Sequence, residues 1–230
     1  MGMWRRREKV PEGLVEEYME EQRRLARKVV LKPIDFDHLE LIAGADSAFI
    51  GENYILSVIV VFEFATMREV EVEYSVSEVT FPYIPGLLAF REAPNVIKAY
   101  EKLENKPDLI MVDGHGISHF RRLGIASHIG VLLNIPTIGV AKKLLAGKYK
   151  EPCSRRGCRS PIVHDGDVVG YALRTRDNVQ PVFVSPGHLS DLETSVKAVL
   201  MTTRGYRLPE PTRIADKYSK ELKRRVRYPG

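Results

Sequence analysis

No run of apolar residues in this 230-residue chain approaches the roughly 20 needed to cross a bilayer. The N-terminus also lacks the apolar core and small-residue cleavage site of a secretory leader. A cytoplasmic location without membrane attachment is therefore the expectation. Cysteine occurs only at Cys153 and Cys158, and two thiols cannot build the four-ligand cage of a structural zinc site. Free thiols are expected. A local disulfide is the alternative, because intracellular proteins of hyperthermophiles use them and this chain is rich in Glu, Lys and Arg and poor in Gln. Internal repeats and low-complexity blocks are absent, so repeat architectures drop out as well.

What is present suits one compact domain. Hydrophobic residues make up 44% of the chain, enough for a sizeable core over residues 1–230. Lys and Arg number 35 against 30 Asp and Glu, a net charge of +5 and a pI of about 9.1, which points to a polyanionic partner. Many of these cations lie at the ends, in Trp4-Arg5-Arg6-Arg7 and in Lys220-Glu221-Leu222-Lys223-Arg224-Arg225. They read either as solvated tails or as binding faces. The chain thus divides into an N-terminal helix at about 11–30, a central domain and a basic C-terminal tail at about 212–230.

Leu14, Tyr18, Leu25 and Val29 recur at helical spacing and define the first helix. Three strands follow: a short apolar run at 41–46, an almost wholly aliphatic run at 54–62, and an alternation of Val70, Val72, Tyr74 and Val76 with Glu and Ser. Short turns at 51–53 and 65–68 make them an antiparallel meander. Helical and buried-strand patterns then alternate: helix 87–103, strand 109–112, helix 123–133, strand 137–140. Such alternation implies parallel strands with helices on the faces. Pro94 should break or kink the first of these helices. Strands near 168–174 and 181–184 and a helix at about 189–201 complete an α/β domain with a central mixed sheet.

Asp46 and Asp113 each close an apolar strand. A carboxylate there is costly to bury unpaired, so it normally meets a cation, donors or water. The plain alternative is an Asp that starts a turn. On neighbouring strands the two would stand roughly 5 to 10 Å apart, within reach of shared metal ions. Glu92, in a helix on the sheet, can complete an all-oxygen site, and hard oxygen ligands select Mg²⁺ or Mn²⁺ over zinc. Carboxylate clusters of this kind suit phosphodiester hydrolysis.

Several long motifs are more specific. Pro82-Tyr83-Ile84-Pro85-Gly86, Phe90-Arg91-Glu92, Val112-Asp113-Gly114-His115-Gly116-Ile117-Ser118-His119 and Arg121-Arg122-Leu123-Gly124-Ile125-Ala126-Ser127-His128 closely resemble the endonuclease V family. So do Pro136-Thr137-Ile138-Gly139-Val140-Ala141-Lys142-Lys143, Ser185-Pro186-Gly187-His188 and Gly205-Tyr206-Arg207-Leu208-Pro209-Glu210-Pro211-Thr212-Arg213. The match runs in order through nearly the whole chain. It implies a ribonuclease-H-like fold and a Mg²⁺-dependent endonuclease, with Mn²⁺ as a substitute and no organic cofactor, acting as a monomer. The enzyme would recognise hypoxanthine, the product of adenine deamination, and cut the second phosphodiester bond 3′ to it. Prokaryotic kinship favours deoxyinosine in DNA, and inosine in RNA stays open.

By the same resemblance Asp46, Glu92 and Asp113 are the metal-binding carboxylates. Asp216 stands where the family has His or Asp and is a further ligand, or else a solvated residue of the tail. Lys142 corresponds to a lysine beside the scissile phosphate, where an ammonium stabilises developing charge. His119 corresponds to a histidine able to donate to phosphate or to shuttle protons. His115 and His128 read as packing residues.

Hypoxanthine must leave the stack to be inspected. Tyr83, Ile84 and Pro85 offer an aromatic and aliphatic wedge on a proline-stiffened segment, the plain alternative being a turn with a buried tyrosine. Leu88, Gly114, Gly124, Ile125, Ala141 and Leu145 are the residues expected to line the base pocket. Two competing readings remain: a module that binds inosine without cutting, against which the intact carboxylate set argues, and a nuclease indifferent to hypoxanthine.

Overall fold

The computed structural model describes residue 11 and residues 13–226. The basic run at 4–7 lies outside the described residues, as do positions 227–230 of the expected tail. A first helix, α1 (Leu14–Ala26), is shorter than the 11–30 expected and precedes the meander β1 (Leu41–Ile50), β2 (Tyr54–Glu63) and β3 (Glu69–Glu78). Then come α2 (Leu88–Lys102), β4 (Leu109–Val112), α3 (Ile125–Leu133) and β5 (Thr137–Ala141). The remainder is β6 (Arg159–His164), β7 (Asp167–Leu173), β8 (Val182–His188), α4 (Leu192–Met201) and α5 (Glu210–Arg225).

The strands form one mixed sheet in the order β3-β2-β1-β4-β5-β8-β7-β6. β1, β2 and β3 pair antiparallel, β4 and β5 join parallel to β1, and β8, β7 and β6 add an antiparallel extension. This is the ribonuclease-H-like arrangement that the motifs imply. β2 is buried along almost its whole length because it lies inside the sheet with both faces covered. β3 is the outer strand, and the glutamates that alternate along it discourage pairing with a further edge.

Alternate residues of the strands feed two cores, as the two-residue period of a strand requires. Ile42, Val58, Val60 and Met111 pack with Val196 and Val199 of α4 and Ala215 of α5. Ala43, Ala45, Ile59 and Val61 face the other way, against Ala93 and Val96 of α2 and Ala126 and Ile129 of α3. Helices therefore cover both faces.

Four expectations need correction. Pro94 does not break α2, which runs uninterrupted from Leu88 to Lys102. The buried Asn95 amide donates to the Ile55 and Ser75 carbonyls and to Ser57 Oγ, and these bonds hold the helix to β2 and β3 at that point. Residues 212–226 are not a tail: α5 lies across β1 and β2 with Pro211, Thr212, Ala215 and Ser219 buried. β6 was unforeseen; it is an edge strand with a single buried side chain and a proline, which an edge tolerates. Finally, Cys153 and Cys158 form a disulfide with Cα atoms 5.5 Å apart. The segment is curled back by hydrogen bonds from Arg174, whose Nε donates to the Cys153 carbonyl and whose backbone N–H donates to that of Cys158.

Candidate active site

β1 and β4 run parallel with Ala45 opposite Val112, and the Asp113 N–H donates to the Ala45 carbonyl at 3.0 Å. The aspartates that follow, Asp46 and Asp113, therefore stand side by side where β4 runs out. Asp46 does not close its strand, as the apolar run suggested, since β1 continues to Ile50 paired with β2. The third carboxylate comes from α5. Its N-terminus reaches the sheet at Gly44, where a Cβ would lie 1.9 Å from the Pro211 carbonyl oxygen, so only glycine admits the helix. One oxygen each of Asp46, Asp113 and Asp216 lies within 4.8 Å of the other two. Glu92 on α2 lines the same cavity but stands outside that mutually close set.

Charge around the cluster is unevenly balanced. Lys142, just past β5, donates through Nζ to Asp113 Oδ2 and, at 2.7 Å, to Asp216 Oδ1. Burial acts to lower the Lys142 pKa, but the charges of Asp113 and Asp216 and their hydrogen bonds hold it at about 12. Asp216 also accepts from Lys220 at 2.5 Å. Burial works to raise its pKa, and the two lysines outweigh that and lower it. Asp46 accepts a hydrogen bond from Ser219 Oγ, yet burial and then the charge of Asp113 push its pKa up to about 6. Glu92 is pushed up to about 8, by burial and then by Asp46 and Asp113. Lys142 and Lys220 thus pair with Asp113 and Asp216, and the raised pKa values fall on Asp46 and Glu92. An all-oxygen donor set of this kind fits a hard divalent cation.

The carboxylates open into a cavity of about 880 Å³. Of the residues expected to touch substrate, Tyr83, Pro85, Leu88, Gly114, Gly124, Ile125 and Leu145 line it. Ile84 and Ala141 do not. Ile84 is half-buried, with its carbonyl taken by the Leu87 N–H. Ala141 is buried in an apolar cluster with Ile162 and Phe183. Tyr83 is not a buried turn residue: 68% of its surface is exposed.

His119 also lines the cavity, with its Nδ1 accepting the Arg121 N–H at 3.2 Å. Burial, then the charge of Arg121, lowers its pKa to about 4, so the ring is neutral at pH 7 with Nε2 as the donor. His115 reaches the Lys143 carbonyl through Nε2 at 3.0 Å, and His128 stacks edge-on against Phe90. Sequence reasoning missed Ser47, Phe49, Phe120, Lys143 and Ser219, which line the cavity, and left Lys220 and Lys223, which also line it, open between solvated tail and binding face. For the α5 residues a signal existed: positions 216, 219, 220 and 223 fall on one face of a helix. Phe120 had none beyond its place between two motifs.

The comparisons with known proteins agree with one another. The family model described as Endonuclease V matches residues 23–217. A curated relative named Endonuclease V from Dictyoglomus turgidum is 50% identical over 207 residues, covering 90% of each chain. The crystal structure of Endonuclease V from Streptomyces avermitilis superposes with a TM-score of 0.88 at 41% identity, covering 94% of this chain and 97% of that one. Endonuclease V from Ciona intestinalis, in complex with a 24mer DNA containing an inosine followed by a ribo-adenosine, superposes with a TM-score of 0.80 at 28% identity, covering 94% and 100%.

Proposed function

The chain belongs to the endonuclease V family, and from that premise we propose that it is a metal-dependent endonuclease directed to hypoxanthine in DNA, cutting the second phosphodiester bond 3′ to the deaminated base in DNA repair. One observation carries this reading: the exposed Tyr83 and the aspartate cluster open onto the same cavity.

The residues that would hold the cation are Asp46, Asp113 and Asp216, with Glu92 beside them. Mg²⁺, or Mn²⁺ in its place, supplies Lewis acidity toward the phosphate and lowers the pKa of bound water. Lys142 remains charged throughout the working range, so its ammonium offsets negative charge that builds on the scissile phosphate. His119 is neutral, so its ring offers an N–H donor to a phosphate oxygen. Lys143, Lys220 and Lys223 at the cavity wall supply further positive charge to the phosphate backbone.

Tyr83 acts as the wedge. Unstacking a base step costs a few kcal/mol, and less where pairing is already weak, so a deaminated pair opens in preference to a normal one. The extruded purine then enters beside Gly114, Gly124 and Ile125.

The test is incubation of the purified protein with an end-labelled inosine duplex and its adenine parent, with and without Mg²⁺. A Mg²⁺-dependent cut at the second bond 3′ to inosine alone is expected. Equal cutting of both strands would make the protein a lesion-indifferent nuclease, and binding without new strand ends would make it a recognition module. A parallel reading extends the substrate to inosine in RNA. The ribo-adenosine after inosine in the Ciona complex supports it, and competing DNA and RNA oligomers in one tube separate the two.

A further inference from the structure

We propose that Gln22 and Arg121 are positioning residues that lock the wedge segment, 82–86, to the wall of the base pocket, so that the N-terminal helix sets how well a paired lesion is opened. The inference rests on the wedge-and-pocket reading above. Gln22 lies on α1, 64 residues before Gly86, and is completely buried. Both ends of its carboxamide are engaged. Nε2 donates to the Gly86 carbonyl at 3.1 Å and to the Leu123 carbonyl at 2.9 Å, and Oε1 accepts from Arg121 Nε. Arg121 closes the ring by donating from Nη2 to the same Gly86 carbonyl at 2.8 Å.

The two carbonyls belong to different parts of the site. Gly86 ends the wedge segment, and Leu123 precedes Gly124 at the cavity wall. One buried amide therefore ties the element that would open the stack to the element that would receive the base. Gly86 is required for the junction: its φ is +81°, and a Cβ there would come within 2.7 Å of Arg121 Nη2. One helical turn earlier, on the same face of α1, Tyr18 packs edge-on against Phe81 and Phe90 with ring centroids 4.5 and 4.9 Å away. Helix α1 thus grips the segment on both sides, at Phe81 and at Gly86, and leaves the exposed Tyr83 between two fixed points.

A wedge held in this way couples extrusion to capture. If the junction loosens, the ring still reaches the stack but no longer delivers the base into the pocket. The defect should appear only where the protein must open a paired stack. For Gln22→Glu, which can accept from Arg121 but cannot donate to Gly86 and Leu123, single-turnover cutting of a duplex inosine should fall by about tenfold, less than the ~100-fold that a full 1 Å misplacement at the reacting centre can cost. Cutting of the same inosine in a single strand should stay within about twofold of wild type. Arg121→Lys, which keeps the charge and loses the fork, is the second variant and should show the same split if Gln22→Glu does not fold. Equal loss on both substrates would reduce the pair to general scaffolding, and unchanged duplex cutting would remove the role altogether. Wild-type protein that cut neither inosine substrate would refute the functional reading itself, an outcome distinct from either.

Discussion

Lys142 and Asp216 are 74 residues apart in sequence and meet at 2.7 Å, joining the end of β5 to α5 across the carboxylate cluster. The same ammonium reaches Asp113, so Lys142 is the internal counterion of the site and a competitor of any cation that enters it. Replacing it separates the two roles. Lys142→Met leaves the carboxylates more negative, so Mn²⁺ should bind more tightly at pH 8. Cleavage should nevertheless fall by about 10² to 10³, the range measured when one transition-state donor is lost. Calorimetric Mn²⁺ titration and single-turnover rates check the pair of signs. Weaker metal binding with an undiminished rate would remove Lys142 from the chemistry.

The raised carboxyl groups link metal to pH. Asp46 and Glu92, with ordinary values of 3.8 and 4.5, are pushed up to about 6 and about 8 in the folded protein. Between those limits the folded chain holds protons that the unfolded chain has released. With respect to these two groups, metal-free protein is most stable below about pH 4 and loses stability as pH rises toward 8. A divalent cation takes the place of those protons, so the stabilisation it confers should grow over the same interval. Guanidinium unfolding midpoints in chelator and in Mn²⁺, compared at pH 5.5 and 8.5, test this. A metal-induced shift of equal size at both pH values would contradict it.

Much of the site was legible because its residues carry chemistry that their surroundings do not. Asp46 and Asp113 stand out as charges in apolar strands, and the sheet then places them together through the Ala45–Val112 register. α5 was misread because Lys and Arg dominate its exposed face, so the run looked like a basic tail, although Ile214, Ala215, Tyr218 and Leu222 recur at helical spacing and pack against the core. Its closest approach to the sheet, Pro211 on Gly44, left no signal in the sequence. Pro94 misled because its local preference is real but weaker than the tertiary hydrogen bonds of Asn95. The disulfide stood only as the alternative to free thiols because loop geometry, fixed by the distant Arg174, decides whether two thiols meet.

The placement of α5 turns its lysines into a measurable phosphate contact. Lys223 is exposed at the cavity wall one turn beyond Lys220. If it neutralises one backbone phosphate, Lys223→Ala should make the slope of log affinity against log salt shallower by about 0.9 on a duplex. The change should be the same for inosine and adenine strands, since a phosphate contact carries no base information. Binding of both duplexes between 50 and 200 mM salt, with metal withheld to prevent cutting, supplies the slopes. An unaltered slope would return this end of α5 to solvent.

The disulfide provides the converse case, a constraint on stability with no part in the chemistry. Neither Cys153 nor Cys158 lines the cavity, and the loop between them is short, with a sequence separation of 5. Closing so small a loop removes little freedom from the unfolded chain, about 2 kcal/mol by the chain-entropy relation. Arg174 would still hold the segment after reduction, through the Cys153, Pro152 and Val179 carbonyls. Cys153→Ser with Cys158→Ser should therefore lower the unfolding free energy by about 2 kcal/mol and leave inosine cleavage at the wild-type rate. Denaturant titration and single-turnover assays on the double variant measure both. A loss of cleavage without a matching loss of stability would mean that this loop communicates with the carboxylates by a route absent from the hydrogen bonds described above.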